Sequence, residues 1–188
     1  MKAFKMIPLA IAIAASIGGY ATGASQYPER PTNLDFESGD FGWKFDSNAW
    51  SIDEKGGRDG SKCLVWESRL ASSGDSYATQ RFLVEGGCRY RFGGWIKYEK
   101  FMLGDKPAKA RMTIDWYDGK GKCISGADGF PVAENGVGND GWVRFEGTTP
   151  PLPGQATVGQ FRFTQPMELV TGRFKVDDLN IELMGLFL

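Results

Sequence analysis

The sequence predicts an all-β protein, an antiparallel β-sandwich of about nine short strands. Three observations carry this expectation. Aromatic residues make up 13% of the 188 residues and glycines number 26, a composition suited to strands joined by tight turns. Apolar and polar residues alternate in several stretches with the period of two expected of half-buried strands. No segment keeps a helical period, and no internal repeat is visible.

Residues 1–24 read as a signal peptide. Lys2 and Lys5 form a positive start, residues 7–17 are apolar apart from Pro8 and Ser16, and small residues follow at Ala21, Thr22, Gly23 and Ala24. The apolar run falls short of the roughly 20 residues that cross a bilayer. No cysteine stands at the cleavage point to carry a lipid. The expected location is therefore secreted, or periplasmic and cell-envelope, without stable membrane insertion after cleavage. A net charge of −1 gives no reason to expect nucleic-acid binding.

Residues 25–32 are a polar, proline-bearing lead-in, and residues 33–184 form the expected sandwich. Strands are predicted over 50–53, 62–67 and 77–84, separated by glycine turns. In 90–98, Tyr90, Phe92, Gly94, Ile96 and Tyr98 share one face, and Arg91, Gly93, Trp95 and Lys97 the other. In 111–117, Met112, Ile114 and Trp116 oppose Arg111, Thr113, Asp115 and Tyr117. Asp118-Gly119-Lys120-Gly121 then forms a turn in which glycine supplies positive φ. Strands follow over 142–147, 157–164 and 174–183, while residues 150–154 carry too many prolines for a central strand. Residues 185–188 are a C-terminal tail. Trp43, Trp50, Trp66, Trp116 and Trp142 are expected in the core, since large aromatics dominate cores. Cys63, Cys88 and Cys123 are an odd number for an exported chain, and sequence alone leaves their pairing open.

Two acidic phrases stand at opposite ends of the domain. The front one is Asn33-Leu34-Asp35-Phe36-Glu37-Ser38-Gly39, followed by Gly42-Trp43; the back one is the doublet Asp177-Asp178 inside a strand. Adjacent carboxylates in a strand send one of them to the buried face, where it needs a hydrogen bond, an ion pair or a metal. With no histidine in the chain, a hard cation on oxygen ligands is one answer. The other is that Asp35 and Asp177 are solvated and Glu37 caps a turn.

These phrases, with Gly60-Ser61-Lys62-Cys63-Leu64, Trp95-Ile96-Lys97, the run from Ile114 to Lys122, Trp142 and Val176-Asp177-Asp178-Leu179, resemble in order and spacing the carbohydrate-binding modules of families 4 and 9. Those modules are galactose-binding-domain-like β-jelly rolls. The resemblance implies a structural calcium ion tying the first strand to the last, with Glu37 and Asp178 as side-chain ligands, Asp35 and Asp177 as further ones, and carbonyls near Lys62 contributing. It also implies a poly- or oligosaccharide ligand on one sheet face.

Pyranose rings stack their C–H faces on aromatic rings and offer hydroxyls to polar side chains. Trp95 and Tyr117 are the expected stacking residues. Arg111, Asp115, Gln160 and Arg162 are the expected hydrogen-bonding residues, the last two pointing outward if Phe161 and Phe163 face the core. The plainer alternative is a solvated face with ion pairs such as Arg111 with Asp115. A catalytic role is not expected: no convincing pair of glycosidase carboxylates is present, and the usual hydrolase base is missing with histidine. The expected function is non-catalytic, exported carbohydrate binding. A non-sugar structural or protein-interaction sandwich of the cell envelope is the alternative, and an envelope or enzyme partner protein suits either.

Overall fold

The computed structural model describes residues 26–72, 76–108, 110–126, 130–131, 141–164 and 170–186; the expected signal peptide lies outside them. Among the described residues all regular structure is β, and no helix is long and apolar enough to cross a membrane. The strands are β1 (Lys44–Phe45), β2 (Trp50–Asp53), β3 (Cys63–Ser72), β4 (Tyr77–Leu83), β5 (Cys88–Leu103), β6 (Lys106–Pro107), β7 (Arg111–Tyr117), β8 (Cys123–Gly126), β9 (Phe130–Pro131), β10 (Val143–Thr148), β11 (Val158–Thr164) and β12 (Val170–Leu186).

They form two antiparallel sheets of six strands, packed as a sandwich. The front sheet runs β1-β4-β11-β7-β8, with β9 also on β7; the back sheet runs β10-β5-β12-β3-β2, with β6 on β5. Alternation supplies the core. The front sheet turns Ala78, Phe82, Met112, Ile114, Trp116, Phe161 and Phe163 inward, and the back sheet turns Trp50, Leu64, Trp66, Phe92, Ile96, Tyr98, Phe174 and Val176. Phe174 is fully buried at the centre of an aromatic group. It stacks on Trp66 at 5.8 Å and meets Trp50 and Phe101 edge-on at 5.6 and 5.2 Å. Such pairs contribute about 0.5–1.5 kcal/mol each beyond the area they bury.

Among the described residues the buried Trp66 indole N–H has no hydrogen-bond partner, whereas the Gln80 amide is paired. Gln80 accepts from Thr32 N and donates to Thr32 O, both at 2.9 Å, which fastens the lead-in along β4. The turn after β7 is held by Asp118, whose Oδ1 accepts from the amides of Lys120 and Lys122 at 2.9 Å each, while Gly121 takes φ 79°.

The predicted strand 111–117 coincides with β7, and the others fall inside observed strands or within a residue or two of them. Three differences matter. The short edge strands β1, β6, β8 and β9 are too brief to show a periodicity. The last strand runs to Leu186, past the expected end of the domain at residue 184. Trp142 is half-buried and lies outside the core cluster, whereas Trp43, Trp50, Trp66 and Trp116 are core residues. All three cysteines are free: Cys63 and Cys88 are buried and Cys123 is exposed. Burial pushes the Cys63 thiol up to about 12.

A thiol reagent is therefore expected to modify one cysteine per native chain, at Cys123, and all three in denaturant; two modified thiols in the native protein contradict this packing. Phe174→Ala should cost about 3–5 kcal/mol, as for other buried aromatics cut to alanine. At about 2–4 °C per kcal/mol for a chain of this size, thermal melting reads that loss directly.

Candidate functional site

The two outer faces of the sandwich differ sharply in chemistry. On the front sheet, register places the outward side chains of β4, β11 and β7 in rows. Tyr77, Thr164 and Arg111 form one row; Thr79, Arg162 and Thr113 form the next, with Lys44 of β1 beyond Thr79. Arg81, Gln160 and Asp115 form the third, and Leu83, Val158 and Tyr117 the fourth. Five of the six expected ligand-binding residues, Tyr117, Arg111, Asp115, Gln160 and Arg162, thus meet on one face.

This face is knitted by two guanidinium groups. Arg81 donates to Gln160 Oε1 at 2.6 Å and to the Tyr27 hydroxyl at 3.0 Å, and lies 4.5 Å from the centre of the Tyr117 ring. Arg162 donates to Thr113 Oγ1 at 3.0 Å, reaches both Asp115 oxygens at 3.3 Å, and lies 5.2 Å from the Tyr77 ring centre. Asp115 is 4% exposed, and burial raises its carboxyl above the ordinary carboxylate value despite the opposing pull of Arg162 and Arg81. Arg162, not Arg111, is the partner of Asp115. Arg111 stands exposed four residues away along the same strand face, beyond Thr113.

Trp95 is not on this face. It points outward from β5, as the alternation requires, but β5 belongs to the back sheet. The expectation of a single shared face is corrected here: period two tells which way a side chain points relative to its own sheet, not which sheet carries the strand. The Trp95 ring is covered by the guanidinium of Arg58 at 3.9 Å. Around it the back face is a set of ion pairs. Lys175 Nζ donates to Asp53 Oδ2 at 2.9 Å, Lys97 lies 3.6 Å from Glu99, Arg173 pairs with Glu99, and Arg144 lies 3.4 Å from Glu146.

The acidic doublet lies beside Trp95. Asp178 takes φ 48° and sits at a β-bulge between Asp177 and Asn180. Aspartate tolerates this left-handed conformation better than most residues. The extra residue resets the alternation, so Val176 and Leu179 both face the core and neither carboxylate does. Asp177 is nonetheless 1% exposed, because the loop 56–62 covers it. Its oxygens accept from Arg58 N at 2.9 Å, Ser61 Oγ at 3.1 Å and Asp178 N at 2.8 Å. Burial raises its carboxyl above the ordinary range, with those donors opposing.

The expected calcium ligands do not form a ring of oxygens. Among the described residues no three Asp, Glu, Cys or His side chains are grouped to hold a metal. Glu37 accepts from Lys62 N at 2.8 Å, Asp35 from Glu37 N at 3.3 Å, and Asp178 pairs with Arg58 Nη1 at 2.6 Å. The two acidic phrases do meet, through Leu179 N to Leu34 O at 2.9 Å. Loop 56–62 links both, holding Glu37 at Lys62 and the doublet at Arg58 and Ser61. Protein donors thus satisfy the carboxylates as they stand, and this set does not fit a cation without rearrangement.

Four residues of these faces escaped the sequence reading. Tyr77 and Arg81 lie on a strand that was expected, and their outward alternation with Ala78, Gln80 and Phe82 was the available signal. Tyr27 is brought in by the lead-in. Arg58 sits in a glycine turn whose path over Trp95 has no signature in sequence.

No family model matches the chain, and no curated protein matches it in sequence. Solved structures match its fold. The enzymatically active domain of tailspike protein 4 from bacteriophage CBA120 has a TM-score of 0.59 at 13% identity, over 81% of this chain and 21% of that one. A family 16 carbohydrate-binding module has a TM-score of 0.56 at 13% identity, over 81% and 98%. The CBM22-1 xylan-binding domain from Paenibacillus barcinonensis has a TM-score of 0.54 at 15% identity, over 82% and 94%. The chain thus spans about a fifth of the tailspike domain's chain and nearly the whole of the two modules. At such identities the likeness shows the fold, a sandwich of the kind carbohydrate-binding modules use.

Two stability measurements follow. Asp177→Asn should cost about 1–3 kcal/mol, since an amide NH2 would face backbone and hydroxyl donors. Asp178→Asn should cost less than about 1 kcal/mol, its ion pair being half-exposed. The reverse order contradicts the hydrogen-bonded clasp. For Asp115, whose folded carboxyl is raised, the folded state holds its proton more tightly than the unfolded chain. Its contribution to stability is present below about pH 4 and is lost as pH rises towards the raised value. Melting of Asp115→Asn relative to the parent should therefore improve between pH 4 and neutrality, and a constant difference contradicts the shift.

Proposed function

We propose that the chain is a non-catalytic, exported protein that binds a poly- or oligosaccharide on the outer face of its front sheet. The observation that supports this reading is the convergence of Tyr117, Arg111, Asp115, Gln160 and Arg162, with Tyr77 and Arg81, on that one face. Arg81, Arg162 and Gln160 offer donors to sugar oxygens, and the tyrosines give apolar surface beside them. The xylan-binding domain that shares the fold makes saccharide the natural ligand class. Trp95 takes a structural role in this reading, as the floor beneath Arg58.

Non-catalytic character rests on the carboxylates. A glycosidase needs two across the scissile bond, and in the rows of this face Asp115 stands alone, buried and tied to Arg162. Export rests on residues 1–24. Calcium is a separate proposal, resting on the nearness of Glu37 and the doublet to loop 56–62. For it to bind, Asp178 would have to exchange Arg58 for the ion.

Depletion of the purified protein by insoluble or immobilised glycans tests the reading. Tyr117→Ala and Gln160→Ala should each weaken retention about tenfold or less, the order of one hydrogen bond or stacking contact. Trp95→Ala should keep retention while lowering the melting temperature. Loss of retention in Trp95→Ala alone contradicts the assignment, and no retention of the parent by any glycan returns the protein to the envelope-interaction alternative. Melting with calcium and with chelator decides the metal: a rise of several degrees with calcium supports it, and an unchanged transition leaves the Arg58 clasp as the fastening.

A further inference from the structure

The two faces handle positive charge differently. On the back face Lys175, Arg173, Lys97, Arg144 and Arg58 each meet a carboxylate, while Arg91 is exposed without one among the described residues. On the front face the strand rows carry Lys44, Arg81, Arg111 and Arg162 against one acid, Asp115, which is buried and already bound to Arg162. Arg111 and Lys44 are exposed and have no ion-pair partner among the described residues. The chain as a whole carries −1, so this excess is a local segregation of charge and not a basic protein.

The three arginines also lie in order. Arg111, Arg162 and Arg81 occupy successive rows on successive strands, β7, β11 and β4, so they form a diagonal stripe across the sheet. Diagonal neighbours on adjacent strands are about 7–8 Å apart. Arg162 and Arg81 are held in place by Thr113 and Asp115, and by Gln160 and Tyr27, so little side-chain freedom remains to be lost on binding. Both lie against tyrosine rings, which leaves the face more cationic than aromatic. A guanidinium presents a planar fork that matches a carboxylate with two hydrogen bonds.

We propose that the front face recognises an acidic saccharide, one bearing carboxylates at intervals along its chain as a polyuronate does, with Arg111, Arg162 and Arg81 as the track that reads them. The proposal rests on the reading of this face as a saccharide surface and names the class of saccharide.

The test measures binding of the purified chain to polygalacturonate, to a neutral xylan and β-glucan, and to single-stranded DNA, at low and at raised salt. The expected result is affinity for polygalacturonate at least tenfold above either neutral glycan and above DNA, falling as salt screens the charges. Arg111→Gln and Lys44→Gln, both exposed and expected to fold normally, should each weaken it severalfold. Arg91→Gln, on the back face, should leave it unchanged. Neutral glycans bound as well as polygalacturonate overturn the acidic specificity while keeping the saccharide surface. No binding to any glycan removes both readings. Preference for DNA, or an equal loss in Arg91→Gln, overturns the proposal.

Discussion

The front face depends on how β11 is set between β4 and β7. Phe161 stands opposite Gln80 and Ile114, and Phe163 opposite Ala78 and Met112, all of them inward. Phe161 lies 5.0 Å from Phe82 across the strands, and Phe163 lies 6.2 Å from Trp43. A slip of one residue would expose both phenylalanines and bury Gln160 and Arg162. Exposing two such side chains costs roughly 1.5–3 kcal/mol each, and an unpaired buried guanidinium more. Hydrophobic burial on the inner side thus fixes, without touching them, the polar side chains on the outer side. From Gln160 and Arg162 the network spreads: one holds Arg81, the other Asp115 and Thr113.

The back face shows the same parity constraint resolved differently. In β12 two adjacent aspartates would break the alternation, and the chain absorbs the conflict with a bulge at Asp178. The bulge keeps Leu179 in the core, and it leaves Asp177 on the outside, where loop 56–62 closes over it. Arg58 then serves three partners at once: its amide binds Asp177, its guanidinium binds Asp178, and its plane covers Trp95. A cation over an indole contributes about 0.5–2 kcal/mol depending on its hydration. In this arrangement backbone donors, the Ser61 hydroxyl and one arginine link the first and last segments.

Much of this was legible in the sequence, for identifiable reasons. Strand existence and facing follow from a local period, so Tyr117, Arg111, Asp115, Gln160 and Arg162 could be assigned outward positions from their neighbours alone. The doublet's conflict with the alternation was legible in the same way, but not its outcome: a bulge turns both carboxylates away from the core instead of sending one of them into it. What was not legible is non-local. Trp95 points outward as its strand requires, but which sheet receives β5 depends on its pairing with β10 and β12, set by residues far along the chain. The burial of Asp177 by a loop more than a hundred residues away, and the arrival of Tyr27 beside Arg81, are of the same kind. Likewise the ion pair of Asp115 crosses to β11 and does not run along its own strand to Arg111.

The central claim is that ligand meets the outer face of β4, β11 and β7. Backbone amide chemical shifts, followed by NMR during titration with a soluble oligosaccharide that the protein retains, locate the contact directly. The largest shifts are expected on Tyr77 to Arg81, Gln160 to Thr164 and Arg111 to Tyr117, with β5 and β12 silent. Shifts concentrated instead around Trp95, Asp177 and loop 56–62 would contradict the central claim.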